Sequence, residues 1–373
     1  MTRRKHFPLT RIALMIASLI LVQFFSCVQD NALIDFSQSL IGVSGNGPDQ
    51  SLLYDKENNL ILNHCIEGAT LTELSKLKVP QIEQRLEELR RGKLLLKEGD
   101  IYRLTFPVIR GSDRVFLSNE AEQTAEKMLP TMRHIVQKLK AELKGEEESL
   151  YHITWSVVMD SYMFTWLNLL LDGHVNPLIL ISKSYSFCVY PVNPFQAGTN
   201  FYDWEDNMMA VSHSRGALEH INKLMGPYGS EIIKIAVTQA PFESQLKDTL
   251  IPYGFMDNQG KLRVLTYEKG SPRYNLFKRL GEQYASEIGK AIDIEALSTR
   301  LKLTTDQCFV IAFHEASWEI LKLLHQEEIL PRPPVLVQQK AQLDQSYKLV
   351  SILKGESSAT LMRQFQELLL KRK

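Results

Sequence analysis

The chain has 373 residues, of which 44% are hydrophobic and 23% are charged. These fractions are typical of a globular protein that can bury substantial cores. Its 43 basic residues balance 43 acidic residues. This balance excludes the strong positive charge that a nucleic-acid-binding protein usually carries. A chain of this length predicts two or three domains.

The N-terminus has the pattern of a secretory signal peptide over residues 1–26. The opening MTRRKHFPLTR contains four basic residues and no acidic residue, and the apolar run IALMIASLILV follows. A basic start and an apolar run of this length are typical of an export signal. The run is short for a membrane-spanning helix, which needs about 20 residues. We therefore expect the chain from residue 27 onward, with 39 basic and 43 acidic residues, to lie outside the cytoplasm.

The signal ends in FFSC, residues 24–27. A small residue directly before a cysteine at this place resembles the lipobox of bacterial lipoproteins. The resemblance implies cleavage before Cys27, acylation of that cysteine (for example with palmitate), and anchoring in the inner or outer membrane of the cell envelope. Phe24 stands where the family usually has Leu. The alternatives are a signal peptide without lipidation and an uncleaved anchor in which Cys27 is an ordinary residue.

Residues 27–59 are rich in polar and turn-forming residues, as in SGNGPDQS, and predict a tether or loop. The remaining cysteines, Cys65, Cys188 and Cys308, are odd in number and far apart, which is unlike a disulfide framework. No Cys-x-x-Cys pair is present. We expect buried apolar thiols, no metal site and no cofactor.

Residues 60–145 predict a small module followed by a helix. LTELSKL from Leu71 predicts one helix, and PQIEQRLEELRR predicts a second with Pro80 in its first turn. EGD at 98–100 predicts the turn of a hairpin. This pattern resembles the winged helix-turn-helix family over a small part of the chain. EAEQTAEKMLPTMRHIVQKLKAELKG then predicts a helix that Pro130 kinks or interrupts.

Two observations weigh against DNA binding by this module. A recognition helix usually presents Arg, Lys, Asn or Gln outward, whereas the outward positions here mix both signs. They are Glu83, Arg85, Glu87, Glu88, Arg90 and Arg91. An exported module also meets no genome, so we expect no nucleic-acid partner. A membrane-tethered DNA-binding regulator, which needs the opposite topology, is an alternative.

The whole pattern predicts an α+β fold, with a mixed α/β middle domain at 150–275 and a helical C-terminal part at 276–373. YHITWSVVMDSYMFTWLNLLLDG predicts a buried helix that ends at Gly173. YGFMDNQGKLRVLTYEKG predicts a hairpin. Mostly helical patterns follow from Tyr274.

Ser214 is the candidate nucleophile of an alternative function, a serine hydrolase. It lies in SHSRG, one residue from the Gly-x-Ser-x-Gly elbow of α/β hydrolases. Asp257 or Asp293, followed by His314 or His325, would supply the acid and the base in the order of that family. The preceding FYDWEDN is unlike the buried parallel strand of an elbow, and no Gly-rich oxyanion loop precedes it. A polar loop that leads into a helix is the competing interpretation.

Two other patterns are weaker. His314-Glu315 lacks the second histidine of a zinc-binding helix, because Trp318 stands in its place, so a metalloprotease is not expected. The aromatic segment 185–204 either caps a sheet core or forms a surface for a peptide or glycan. We expect a binding or structural role in the envelope, because no nucleophile, base and acid come together in credible local structure.

Overall fold

The computed structural model describes residues 33–43, 47–176, 185–240, 244–257, 259, 261–337, 343–357, 359–360, 363–364, 367 and 370. Side chains 215–222, 244 and 245 are outside the description. The predicted signal peptide and Cys27 also lie outside the described residues. The fold is α+β, with 60% helix and 15% strand.

The described chain divides into two compact units that do not follow the expected boundaries. The first contains residues 33–116 and 185–192, and the second contains 117–176 and the chain from 193 onward. A segment from the middle of the sequence therefore completes the N-terminal unit. The expected domains at 60–145 and 150–275 placed this segment in the middle domain.

The first unit consists of short helices and strands. In chain order they are α1 (Phe36–Ser39), β1 (Leu40–Gly42), a 3₁₀ turn (Gln50–Tyr54), α2 (Lys56–His64), β2 (Ala69–Thr70), α3 (Leu71–Ser75), α4 (Ile82–Arg91), β3 (Leu95–Glu98), β4 (Ile101–Leu104), β5 (Val108–Ile109) and β6 (Ser186–Val189). They form two three-stranded sheets, with orders β2-β4-β3 and β1-β6-β5.

The elements α2, β2, α3, α4, β3 and β4 follow one another in the order of a winged helix. Leu74, Leu86 and Leu89 fill its core, as their spacing predicts. Gly99 turns the β3–β4 hairpin with a φ of 64°. Pro80 differs from the expectation, because α4 begins only at Ile82, after the left-handed residue Gln81. Pro80 therefore belongs to the connection and not to the helix.

Residues 33–43 and 47–59 are not a tether. Phe36 and Leu40 are fully buried in the core of the first unit, and β1 pairs with β6. Asp35 and Asp55 cap the helices that follow them. Within the polar stretch that suggested a loop, Asp49 caps the 3₁₀ turn Gln50–Tyr54 by accepting from the amide of Ser51.

The second unit contains a four-stranded sheet covered by long helices. In chain order its elements are most of α5 (Gly111–Glu142), a 3₁₀ turn (Glu147–Ser149), α6 (Leu150–His152), π-helices Ile153–Met159 and Tyr162–Trp166, α7 (Leu167–Leu171), β7 (Gly198–Trp204), β8 (Asn207–His213), α8 (Arg215–Thr238), α9 (Ser244–Leu250), a 3₁₀ turn (Ile251–Tyr253), β9 (Leu265–Glu268), α10 (Pro272–Ala291), α11 (Ile294–Leu301), α12 (Thr305–Gln326), α13 (Pro334–Val337), a 3₁₀ turn (Leu343–Leu349) and β10 (Val350–Lys354). The sheet order is β7-β8-β10-β9.

The C-terminal part is not only helical, because β10 occupies an inner position of this sheet. It runs antiparallel to β8 and parallel to β9. Among the described residues of the expected hairpin at 253–270, one antiparallel bridge joins Met256 to Leu262, while β9 pairs with β10 instead. Pro130 lies inside the continuous helix α5, so it does not divide that helix in two.

Candidate functional site

The buried segment Leu150–Leu171 is not one regular helix. Two π-helical stretches meet at Asp160 and Ser161. The amide of Asp160 donates to the carbonyl of Trp155 at 2.8 Å, and Ser161 Oγ caps the second stretch by accepting from the amide of Phe164 at 3.3 Å. Stretches of π-helix are rare and are frequent at functional sites. Here they place polar side chains in an otherwise apolar core.

His152 joins this segment to the sheet. Its Nδ1 lies 2.8 Å from Ser212 Oγ on β8, and its Nε2 lies 2.9 Å from Ser351 Oγ on β10. All three residues have 0% exposure. The imidazole is therefore hydrogen-bonded at both nitrogens, as a buried polar ring must be to offset the loss of water.

The hydrogen bonds continue from Ser212 towards β7. Ser212 Oγ lies 2.5 Å from Ser156 Oγ, and Ser156 Oγ lies 2.9 Å from Thr199 Oγ1. We call this set the His152 chain. Its members, in order, are Ser351, His152, Ser212, Ser156 and Thr199.

Burial controls the charge of His152 and of Asp160, which lies eight residues further on in the same buried segment. It lowers the pKa of His152 to about 3, so the imidazole is neutral at physiological pH. Burial also raises the pKa of Asp160 to about 7, although the nearby hydroxyl of Thr199 and the indole N–H of Trp166 oppose the rise. Trp166 Nε1 donates to Asp160 Oδ1 at 3.2 Å. Near neutral pH, Asp160 is therefore present both as the acid and as the carboxylate.

The Ser212–His152 pair has the spacing of a nucleophile and its base, but its surroundings are not those of a catalytic triad. In a triad, an acid orients the second ring nitrogen of the histidine. Here the hydroxyl of Ser351 occupies that place. Ser212 and His152 are also shielded from solvent. The arrangement can hold and redirect a proton, and it offers no orienting carboxylate for acyl transfer.

Ser214, the sequence-predicted nucleophile, lies between β8 and α8 and is 5% exposed. The strand before it is buried and antiparallel to both β7 and β10. A strand, a serine and a helix thus follow one another as in an elbow. The competing interpretation of a polar loop before the helix does not hold, because FYDWEDN contributes to a tight hairpin that returns into β8.

The acids and histidines proposed for Ser214 have local structural roles. Asp257 accepts from the amides of Gln259 and Lys261, and Asp293 caps α11 by accepting from the amide of Ala296. His325 Nδ1 accepts from the amide of Arg332 at 3.2 Å. None of these hydrogen bonds leads to Ser214.

His314 lies in the middle of α12, where its Nδ1 hydrogen-bonds to the carbonyl of Val310 at 2.7 Å. Burial lowers its pKa to about 4. Trp318 is buried one turn further on. Within the described residues, no three or more His, Cys, Asp or Glu side chains lie together as a metal site would require.

The predicted aromatic segment is divided between the units. Tyr185 and Phe187 are buried in the first unit, whereas Phe201 and Tyr202 on β7 are half-buried in the second. Phe195 lies under the guanidinium of Arg332, with 5.0 Å from Arg332 Cζ to the ring centre. The aromatic side chains therefore contribute to two separate cores more than to one continuous surface.

The outward arginines of α4 are paired with carboxylates of the first unit. Arg85 forms ion pairs with Asp55, at 3.1 Å, and with Glu57. Arg90 and Arg91 both pair with Glu87, at 2.6 and 3.2 Å. Carboxylates beside these guanidinium groups reduce the positive potential that a phosphate backbone would meet.

The sequence interpretation overlooked the His152 chain. His152, Ser156 and Asp160 are spaced four residues apart in a segment that is otherwise almost entirely apolar. That spacing brings side chains to one face of a helix, and it was the available indication. Their partners on β7, β8 and β10 come from distant parts of the sequence, so no local pattern could identify them.

Comparison of the chain with protein-family models, with curated proteins and with solved structures found no match. Among the helices of the described residues, none combines the length and the apolar character needed to cross a membrane.

Proposed function

We propose that the chain is an exported lipoprotein of the bacterial cell envelope, anchored by acyl groups on Cys27, with a binding or structural role. The lipobox-like FFSC and the basic, apolar sequence before it support the anchor. Ile34 and Phe36 are already buried in the first unit. Acylation of Cys27 would therefore hold this unit within a few residues of the membrane.

One observation favours a binding or structural role over catalysis. The Ser212–His152 pair is fully buried, and a hydroxyl stands where a triad has its acid. Asp257 and Asp293 are used in a turn and a helix cap. The proposed partner is a protein, a peptide or a glycan. Nucleic acid is not proposed, because carboxylates pair the outward arginines of α4.

The winged-helix order of α2 to β4 favours one other candidate, a membrane-tethered DNA-binding regulator. That function requires the opposite topology. A phosphatase fused after residue 373 should be active in the periplasm if the chain is exported, and an inactive but intact fusion would favour the regulator.

Lipidation can be tested by growing cells with a radioactive fatty acid. The wild-type chain should be labelled, and Cys27→Ala should lose the label because the acylated thiol is gone. Cys308→Ala is the matched control, since Cys308 is buried in α12 and should leave the label unchanged. Persistent labelling of Cys27→Ala would contradict the anchor.

The absence of hydrolase activity can be tested with a fluorophosphonate, which reacts with activated serines. We expect the folded wild type to remain unlabelled, because Ser212 is inaccessible and no described acid orients His152. Label that disappears in Ser214→Ala but persists in Ser212→Ala would instead favour the hydrolase. The strand–Ser214–helix order is the observation in favour of that second candidate.

A further inference from the structure

The hydrogen bonds of the His152 chain can run in two directions. Its five members form four bonds, and they carry one proton on each hydroxyl group and one on the neutral imidazole. The chain therefore has one proton more than it has bonds, and this surplus proton points out of the chain at one end. If it leaves at Thr199, the imidazole carries its proton on Nδ1. If it leaves at Ser351, the imidazole carries its proton on Nε2.

The two ends of the chain differ in burial. Ser351 has 0% exposure, and among the described residues its hydroxyl bonds to Nε2 of His152 alone. A surplus proton at Ser351 would therefore belong to a buried donor without an acceptor, which is costly. Thr199 lies on β7 and is half-buried, so a proton that leaves the chain there can meet water. This difference places the surplus proton at Thr199.

The direction of every bond then follows from the buried end. Ser351 donates to Nε2 of His152 at 2.9 Å, and a neutral ring that accepts at Nε2 has its proton on Nδ1. Nδ1–H donates to Ser212 at 2.8 Å. Ser212 donates to Ser156, and Ser156 donates to Thr199. Burial lowers the pKa of His152 to about 3, which is why one proton is counted for the ring near pH 7.

We infer that Ser351 is a positioning residue that holds His152 as the Nδ1–H tautomer, so that His152 cannot take the proton of Ser212. In a pair of nucleophile and base, the serine hydroxyl donates to the histidine. Here the histidine donates to the serine, and the proton of Ser212 is directed to Ser156 instead. The hydrogen bonds thus run in the sense opposite to that of a catalytic pair.

This inference deepens the proposed non-catalytic role and rests on it for its meaning. The two can still fail separately. The labels from a fatty acid and from a fluorophosphonate test the proposed role, whereas the position of one proton on His152 tests the direction of the chain.

The test is nuclear magnetic resonance of the full chain with ¹⁵N-labelled histidine, from about pH 5 to about pH 9, the range in which an ordinary histidine changes its charge. His152→Gln assigns the signal by removing it. In the wild type, we expect His152 to show the Nδ1–H signature across the whole range. A ring that is protonated at Nε2, that is a mixture of both tautomers or that becomes charged in this range would overturn the inference.

Two serine variants test the role of Ser351. In Ser351→Ala, either direction leaves one ring nitrogen without a partner, so the Nε2–H form should become populated. Ser357→Ala is the matched control, because Ser357 is also buried and its hydroxyl bonds to Thr360. It should keep the Nδ1–H signature. A Ser351→Ala chain that shows only the Nδ1–H form, or a Ser357→Ala chain that loses it, would overturn the role of Ser351.

Discussion

Single hydroxyl groups hold the polar core of the second unit together around His152. The hydroxyl of Ser212 bonds to both His152 and Ser156, and all three side chains are buried. A buried polar group without a partner costs roughly 1–3 kcal/mol. The hydroxyls therefore make it possible to keep a histidine inside an apolar core.

At this scale, Asp160→Asn should change the pH dependence of stability. The folded pKa of about 7 exceeds the ordinary value of 3.8, so between these values the folded chain holds a proton that the unfolded chain has lost. The stabilisation of the folded chain by protonated Asp160 is fully present below about pH 4 and is lost as the pH rises through about 7. As the pH rises from about 4 to about 7, the free energy of unfolding of Asp160→Asn minus that of the wild type should therefore increase by about 4 kcal/mol.

Urea unfolding at several pH values measures this gain. Asp257→Asn is the control with the opposite sign, because backbone hydrogen bonds from Lys261 lower the pKa of Asp257. The carboxylate of Asp257 stabilises the folded chain above the ordinary pKa, and this effect is lost as the pH falls. The free energy of unfolding of Asp257→Asn minus that of the wild type should therefore decrease as the pH rises. A gap between Asp160→Asn and wild type that does not vary with pH would contradict the placement of Asp160.

The elements are joined by turns that only a few residues can form. Gly254 ends the 3₁₀ turn Ile251–Tyr253 with a φ of 71°, and a Cβ there would lie 1.6 Å from the carbonyl oxygen of Asp344. Gly270, between β9 and α10, has a similar φ of 83° but nothing within 4 Å of its Cβ position. An alanine at position 270 would therefore add only backbone strain, whereas an alanine at position 254 would add backbone strain and a steric overlap.

Gly270→Ala should therefore destabilise the chain by about 1 kcal/mol, since it adds only the strain of a left-handed alanine. Gly254→Ala should cost clearly more, because the backbone of residue 344 must also move away. Thermal unfolding of the two variants measures the difference. Equal losses would show that the 3₁₀ turns Ile251–Tyr253 and Leu343–Leu349 are not packed as closely as the structure has them.

The whole chain is organised by segments that return to an earlier unit. The first unit is completed by β6, which lies between β1 and β5, about 75 residues after β5 along the chain. The second unit is completed by β10, between β8 and β9. Each unit needs a strand from far along the sequence to pair its sheet.

A fragment of residues 33–116 should therefore fold poorly, because β1 and β5 lose their shared partner and Cys188 leaves the core. The same fragment joined by a Gly/Ser linker to residues 185–192 should unfold cooperatively on heating. Circular dichroism compares the two, and a fragment joined to a scrambled version of 185–192 is the control. Equal cooperativity in all three would contradict the role of β6.

The sequence by itself determined the α+β class and the order of two helices and a hairpin over residues 71–104, because both follow from local features. Leu74, Leu86 and Leu89 repeat at helical spacing, and Gly99 supplies a turn that few other residues form. The sequence is also the source of the proposed export and lipidation at Cys27, which lies outside the described residues.

Only the tertiary structure decided how the units close and which polar groups meet. VSILK is too short to distinguish an inner strand from part of a helix, and it became β10 because β8 and β9 offered open edges. His152, Ser212 and Ser351 are separated by 60 to 199 residues and meet through sheet pairing. Local periodicity does not encode such contacts, since they depend on the packing of elements that form independently.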